Sequence, residues 1–445
     1  MKLIENMVCI KVNDDENRSL IINTLNGNIN VISEEEAIWV QKWKEKNDIL
    51  PLTVEEEKFV KELTENEYIV ENSEYEKIIE EKIFDTARER HKAIRERLSG
   101  AVFVVTYKCN FRCPYCYENA INCKDREILT KDMVDKIFEL HNNKLEKIAF
   151  YGGEPLLPDT KGIIQYIISK APYASYSVTT NGYYLSEFFD IFSKIYVDNI
   201  MVTLDGPENI HNVTRILKDG SGTYQKIVDG IKKFLENSIP IKIRMNISKK
   251  NIEECLKLRE TFINEFKEQY SKGILMFELQ PIFQINPKEK SDLNEKIFFE
   301  KSTSHGNKYK YNMMAHTVSP ILNKFINNSK KSFRPRYCNC DAEGKRMFYD
   351  TKGDIYSCIL SLKNNVASIG KYYPEYYLKE NSIYTRNIET IEECRNCKMK
   401  FLCGGGCANA IIDEKGEVMK PNCVAILNEV NHELPKLFRK YTQAK

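Results

Sequence analysis

The sequence predicts an α/β protein built on a parallel sheet, and three observations carry that reading. Short apolar, β-branched runs alternate six times with stretches of helical periodicity between residues 99 and 285. Polar or glycine-rich turns follow several of those runs, as they do where a sheet holds a ligand at its strand ends. Eleven of the fourteen cysteines fall into two fields, three at 109–116 and eight from Cys338 onward.

The N-terminal stretch, 1–80, comes first. Val8–Val12, Ser19–Ile22 and Ile29–Ile32 read as strands, with Asn26-Gly27-Asn28 as a turn. Ser33 opens a helix, and Glu36 three residues later completes a capping pattern. A second helix begins near Thr53, and Tyr68-Ile69-Val70 reads as a returning strand. This order predicts a small winged-helix-like domain. Residues 74–98 are a charged helical stretch, and 81–98 reads as a linker helix with a solvated face.

The alternating core follows. Ala101–Tyr107 is an apolar strand that runs into Cys109-Asn110-Phe111-Arg112-Cys113-Pro114-Tyr115-Cys116, and a helix follows at Lys131–Leu140. Lys147–Phe150 leads into Tyr151-Gly152-Gly153-Glu154-Pro155, and Ser175–Thr180 ends in Asn181-Gly182. Asn199–Leu204 ends in Asp205-Gly206-Pro207, and Ile241–Ile247 and Ile274–Ile285 are the last strands. Helices at 162–169, 185–194, 224–236 and 252–270 lie between them. Repeated strand–helix units imply parallel strands with helical crossovers. Residues 286–336 are polar and read as a bridge to a cysteine-rich domain at 337–445.

The C-x3-C-x2-C loop is the most specific feature. Three thiolates so close in sequence do not fill a tetrahedral site, but they can hold three irons of a [4Fe–4S] cluster and leave the fourth open. A structural zinc site asks for four ligands, and only Cys123 lies near enough to complete one. The loop after a first strand, Gly-Gly-Glu-Pro after a second, Thr-Asn-Gly after a third and Leu-Asp-Gly-Pro after a fourth together resemble the radical S-adenosylmethionine (SAM) superfamily. The resemblance covers about 98–285. It implies a partial (β/α)6 TIM-like barrel in which Cys109, Cys113 and Cys116 ligate the cluster and SAM chelates its open iron. It also implies SAM contacts by Tyr115 near the adenine, Gly152 and Gly153 through their backbone, Glu154 at the amino group, Thr180 and Asn181 at the ribose or carboxylate, and Arg215 at the carboxylate. For Glu154 and Arg215 the plainer alternative is a surface ion pair.

The second field reads Cys338, Cys340, then Gly353-x4-Cys358, then Cys394-x2-Cys397-x5-Cys403-x3-Cys407, then Cys423. This resembles the SPASM extension of radical SAM enzymes, which carries two auxiliary [4Fe–4S] clusters and makes three in all. Its crossed pattern implies Cys340, Cys358, Cys407 and Cys338 for the first auxiliary cluster. Without Cys338 that cluster keeps an iron open to a substrate thiolate. The same pattern implies Cys394, Cys397, Cys403 and Cys423 for the second. Zinc knuckles or disulfides are the alternatives, and disulfides need an oxidising compartment. Cys9, Cys123 and Cys255 fit no cluster pattern and read as small apolar residues.

The N-terminal domain resembles the leader-recognition element of peptide-modifying radical SAM enzymes, which binds a leader as an added strand. The plainer alternative is a structural cap. The resemblance implies reductive cleavage of SAM to a 5′-deoxyadenosyl radical and hydrogen abstraction from a ribosomally made precursor peptide. Its product is a cross-link, a thioether first and a carbon–carbon bond second, with a reductant such as flavodoxin or ferredoxin. An anaerobic sulfatase maturase, which forms formylglycine, is a second reading, but that family has Asp directly after the G-x4-C cysteine and Ile359 stands here. A non-catalytic iron–sulfur or zinc-stabilised peptide-binding scaffold is the reading from another class. A net charge of +2 over 445 residues gives no basic footprint for nucleic acid. No apolar run reaches membrane-spanning length, and the first twenty residues lack a secretory apolar stretch. A cytoplasmic protein is expected.

Overall fold

The computed structural model describes residues 1–96, 99–116, 127–282, 289, 293, 333–339 and 346–443. Most of the expected bridge, together with Cys123 and Cys340, lies outside the described residues. The chain divides into two compact units. One unites Met1–Arg97, Met314–Gly344 and Asn381–Lys445; the other unites Leu98–Met313 and Lys345–Glu380. Among the described residues no helix is long and apolar enough to cross a membrane.

In the first unit, β1 (Lys2–Leu3), β2 (Met7–Lys11), β3 (Ser19–Asn23) and β4 (Ile29–Ile32) precede α1 (Glu34–Lys46) and α2 (Val54–Glu65); β5 (Ile69–Val70) and α3 (Ser73–Glu96) follow. β2, β3 and β4 form an antiparallel sheet, and β1 pairs with β5. Ser33 Oγ accepts from the Glu36 N–H, and the Glu36 side chain accepts from the Ser33 N–H, so α1 starts with a full capping box. Thr53 caps α2 through the Glu56 N–H. Trp43, Phe59, Leu63 and Tyr68 pack with Ile21 and Ile32 to form the core.

Helix α3 is more than a solvated linker. Its Ile79, Ile83 and Phe84 pack with Leu25, Ile388, Ile391 and Phe401, and Phe84 meets Phe401 edge-on at 4.9 Å between ring centres. Lys400 Nζ donates to Glu80 of the same helix. The charge pattern shows which face of α3 is wet, but not that the opposite face is covered by residues three hundred positions away.

In the second unit the elements run β6 (Gly100–Thr106), α4 (Lys131–Leu140), β7 (Lys147–Gly152), α5 (Lys161–Lys170), β8 (Ser175–Thr180), α6 (Phe189–Phe192), β9 (Val197–Thr203), α7 (Glu208–Thr214), α8 (Tyr224–Glu236), β10 (Ile241–Ile247), α9 (Ile252–Glu265), α10 (Lys267–Ser271) and β11 (Leu275–Pro281). Strands β6 to β11 lie side by side in sequence order, all parallel. Along β10, Ile241, Ile243, Met245 and Ile247 are buried, while Lys242, Arg244 and Asn246 are only partly covered. One row thus faces the helices and the other the concave side.

The sheet continues beyond β6. β12 (Met347–Tyr349) pairs parallel with it through Met347–Ala101 and Tyr349–Phe103, and β13 (Asp354–Tyr356), β14 (Gly370–Lys371) and β15 (Tyr377–Leu378) add antiparallel. The stretch 345–380 therefore belongs with the barrel strands rather than with a single domain at 337–445. The physical reason is the open edge of β6, whose backbone groups need partners.

Candidate active site

The C-terminal ends of the parallel strands converge on one cavity, lined by Cys109, Cys113, Cys116, Gly152, Asn181 and Arg215 among others. The cysteine loop follows β6 and is pinned by a distant segment. The Arg112 N–H donates to Ile216 O at 3.0 Å, the Lys218 N–H to Asn110 O at 3.1 Å, and Phe111 bridges to Leu217. That pinning brings Arg215 to the loop. The Phe111 N–H lies 3.4 Å from Cys109 Sγ and Asn181 Nδ2 lies 3.9 Å from it, so donors already face that sulfur.

The two glycines after β7 are required by packing. The Gly153 N–H donates to Thr106 O at 2.9 Å and the Glu154 N–H to Lys108 O at 2.8 Å. Gly152 has φ +134°, and a Cβ there would lie 2.1 Å from Thr106 O; on Gly153 it would lie 2.5 Å from Lys108 O. Only bare backbone can lie so flat against the start of the cysteine loop.

Glu154 is placed differently from the expected SAM contact. It is fully buried and does not line the cavity. Its carboxylate accepts from Thr180 Oγ1 at 2.6 Å, the Asn181 N–H at 2.6 Å and the Leu156 N–H at 2.9 Å. Burial pushes its pKa up, against those three donors. It ties the ends of β7 and β8 together, and so fixes the Thr180 and Asn181 that do line the cavity.

Arg215 and Tyr115 meet directly. Arg215 Nη1 donates to the Tyr115 hydroxyl at 2.9 Å, and that hydroxyl donates to Asp205. Asp205 also accepts from the Asn246 N–H at 3.0 Å and from Asn246 Nδ2 at 3.2 Å. The guanidinium lies 5.6 Å from the centre of the Phe111 ring. Burial works against its charge, but Tyr115, Cys113 and Asp205 outweigh that and hold its pKa up. Its Nε is buried with no hydrogen-bond partner. A permanent buried cation with an unused donor beside a cavity suits a carboxylate ligand. Reading the motifs singled out the Leu-Asp-Gly-Pro turn but missed the role of Asp205, and it missed Asn246 and the Arg244–Glu278 pair on β10 and β11 (Nε to Oε1 2.9 Å). These depend on strand register, which the motifs do not carry.

The later cysteines fall in both units. Cys358 follows β13 in the second; Cys338, Cys394, Cys397, Cys403, Cys407 and Cys423 are in the first. None of the described cysteines forms a disulfide. Burial and then the neighbouring Cys403 and Cys397 thiols push Cys394 up to about 12; burial, Cys423 and Cys397 push Cys403 up to about 11. Four thiols that repel one another as anions are a donor set that a cationic cluster would relieve. They are gathered but do not close on one point: among the described residues no three His, Cys, Asp or Glu side chains could hold a single metal ion. Gly404, Gly405 and Gly406 all take positive φ, between 64° and 83°. Arg386, missed in the sequence, holds this turn by donating to the carbonyls of Gly405, Gly406, Val418 and Lys420 at 2.6–2.9 Å.

Residues 103–262 match the Radical SAM superfamily. The radical SAM cyclopropyl synthase TigE of Paramaledivibacter caminithermalis is 24% identical over 357 residues, 73% of this chain and 71% of that protein. A cysteine-type anaerobic sulfatase-maturating enzyme of Clostridium novyi is 25% identical over 342 residues, 70% of this chain and 87% of that enzyme. The structure of Streptococcus suis SuiB bound to precursor peptide SuiA superposes with a TM-score of 0.52 at 16% identity, covering 94% of this chain and 98% of that one. At that identity the superposition speaks for the fold. With its ordered strand-end motifs, its six parallel strands and the family match, residues 103–262 of this chain form a radical SAM domain.

Proposed function

We propose that the enzyme cleaves SAM reductively and cross-links a ribosomally made precursor peptide, with a thioether as the first-choice product. Cys109, Cys113 and Cys116 would hold a [4Fe–4S] cluster, which when reduced would supply the electron that splits SAM into methionine and a 5′-deoxyadenosyl radical. The chain's own work is holding and excluding. Arg215 offers a charged donor for the SAM carboxylate, Asn181 and Thr180 offer polar contacts, and Glu154 holds both in place. Cys340, Cys358, Cys407 and Cys338, and separately Cys394, Cys397, Cys403 and Cys423, would hold two auxiliary clusters, which would supply an acceptor for the electron released on bond formation. A flavodoxin or ferredoxin in the cytoplasm is the proposed electron donor.

The observation that carries the peptide reading is the N-terminal unit. β2 is an edge strand, and a cleft beside it is lined by Cys9, Lys11, Ile38, Gln41 and Lys44, the last three from α1. An open strand edge with an apolar and charged wall suits a leader added as one more strand. The cyclopropyl synthase among the relatives favours a carbon–carbon bond as the second product. The maturase relative favours formylglycine formation, against which stands Ile359 after Cys358.

The test is anaerobic reconstitution with iron and sulfide counting, then co-expression with short cysteine-containing reading frames beside the gene. About twelve irons per chain and a peptide product lighter by one pair of hydrogens support the reading. Bound zinc without SAM cleavage contradicts it.

A further inference from the structure

A buried hydrogen-bond relay joins the turn after β9 to the end of α7. His211 lies one helical turn before Arg215, whose N–H donates to His211 O at 2.9 Å. The His211 imidazole is fully buried. Its Nδ1 accepts from the Asp205 N–H at 3.3 Å, and its Nε2 lies 3.2 Å from Thr223 Oγ1. Thr223 is buried too, and its hydroxyl donates to Arg215 O at 2.5 Å. The Asn212 side chain seats Thr223 from the other side, accepting from the Thr223 and Tyr224 N–H groups at 2.9 and 3.1 Å.

The roles along this relay are fixed. A hydroxyl has one proton, and Thr223 gives it to Arg215 O, so Thr223 accepts from Nε2. Nε2 then carries the imidazole proton and Nδ1 is bare, as the Asp205 N–H requires. Burial, and then the charge of Arg215, push the His211 pKa down to about 3, so the ring stays neutral. The Arg215 carbonyl ends a helix and has no further turn to bond to; Thr223 satisfies it. Asp205 and Arg215 are thus joined twice, at their side chains through the Tyr115 hydroxyl and at their backbones through His211 and Thr223. We propose that His211 is a positioning residue for SAM: with Thr223 it sets the backbone spacing of Asp205 and Arg215, so that the guanidinium faces the SAM carboxylate. Neither His211 nor Thr223 lines the cavity, so neither touches the ligand. This rests on the reading of Arg215 as the carboxylate contact. An apolar residue at 211 leaves the buried Asp205 N–H without an acceptor and frees Thr223 to turn away from Arg215 O.

The experiment uses the full-length, anaerobically reconstituted enzyme. It measures iron content and, by equilibrium dialysis, the binding of SAM and of decarboxylated SAM, which differ only in the carboxylate. The proteins are wild type, His211→Leu, His211→Gln, Thr223→Val, Arg215→Met and the double variant His211→Leu with Arg215→Met. The proposal expects His211→Leu and Thr223→Val to keep their iron and to bind SAM about 10-fold more weakly, with decarboxylated SAM changed by less than about 2-fold. His211→Gln, whose amide still donates to Thr223, recovers most of the loss. The double variant binds SAM as Arg215→Met does, because His211 acts through Arg215. Equal losses for both ligands, additive losses in the double variant, or wild-type SAM affinity in His211→Leu and Thr223→Val overturn the proposal. Should His211→Leu fail to fold, Thr223→Val and His211→Gln carry the same test. An Arg215→Met protein with wild-type SAM affinity overturns the carboxylate reading instead, and is told apart because Arg215 itself then has no effect.

Discussion

Arg215 shows how one side chain can serve both a loop and a ligand. Its segment is hydrogen-bonded to the cysteine loop, its Nη1 meets Tyr115, and its Nε is unused. Arg215→Met should weaken SAM binding about 10- to 100-fold, the worth of a charged hydrogen bond, measured by equilibrium dialysis of the reconstituted enzyme. An unchanged affinity would place the SAM carboxylate elsewhere. Asp350 makes a pH prediction. It is buried, accepts from Tyr107 and from the Lys352 and Asp354 N–H groups, and burial raises its pKa from 3.8 to about 6. A carboxyl with a raised folded pKa holds its proton more tightly when folded. Stability is therefore greatest below pH about 4 in this respect and falls as pH rises to about 6, by on the order of 3 kcal/mol. Asp350→Asn should flatten that slope in denaturant titrations across the interval; an unchanged slope assigns it to another group.

At the scale of elements, the strands and their turns were legible and their partners were not. The capping box at Ser33 and Glu36 and the six parallel strands follow from local pattern, because period and cap chemistry are written in adjacent residues. β12 was not read. Three residues, Met347–Tyr349, carry no usable alternation, and only the open edge of β6 makes them a strand. The motif names Glu154 without saying which way it turns; the Thr180 and Asn181 donors decide that. The Gly-Gly turn gives the sharpest prediction here. Gly153→Ala puts a methyl against the Lys108 and Tyr107 carbonyls, a strain of about 1–3 kcal/mol, and should displace the cysteine loop. Reconstituted Gly153→Ala should hold less iron at 109–116 and form less 5′-deoxyadenosine; full activity would mean the turn has room.

In the whole molecule, the unforeseen feature is that the N-terminal element and the cysteine-rich tail share a core. The sequence separates them by more than two hundred residues, and no composition rule links Phe84 to Phe401. The chain's two tryptophans, Trp39 and Trp43, both lie in the N-terminal element, so their fluorescence reports on it alone. Phe401→Ala removes a fully buried ring and should cost about 3–5 kcal/mol. If the two parts fold as one unit, the tryptophan unfolding transition moves to lower denaturant. If they fold separately, it stays. The account as a whole stands on Cys109, Cys113 and Cys116 serving SAM cleavage. The direct measurement is 5′-deoxyadenosine formed from SAM and dithionite by the anaerobically reconstituted enzyme, beside its Cys113→Ala variant. The account predicts product from the first and none from the second; no product from the intact chain, or equal product from both, contradicts it.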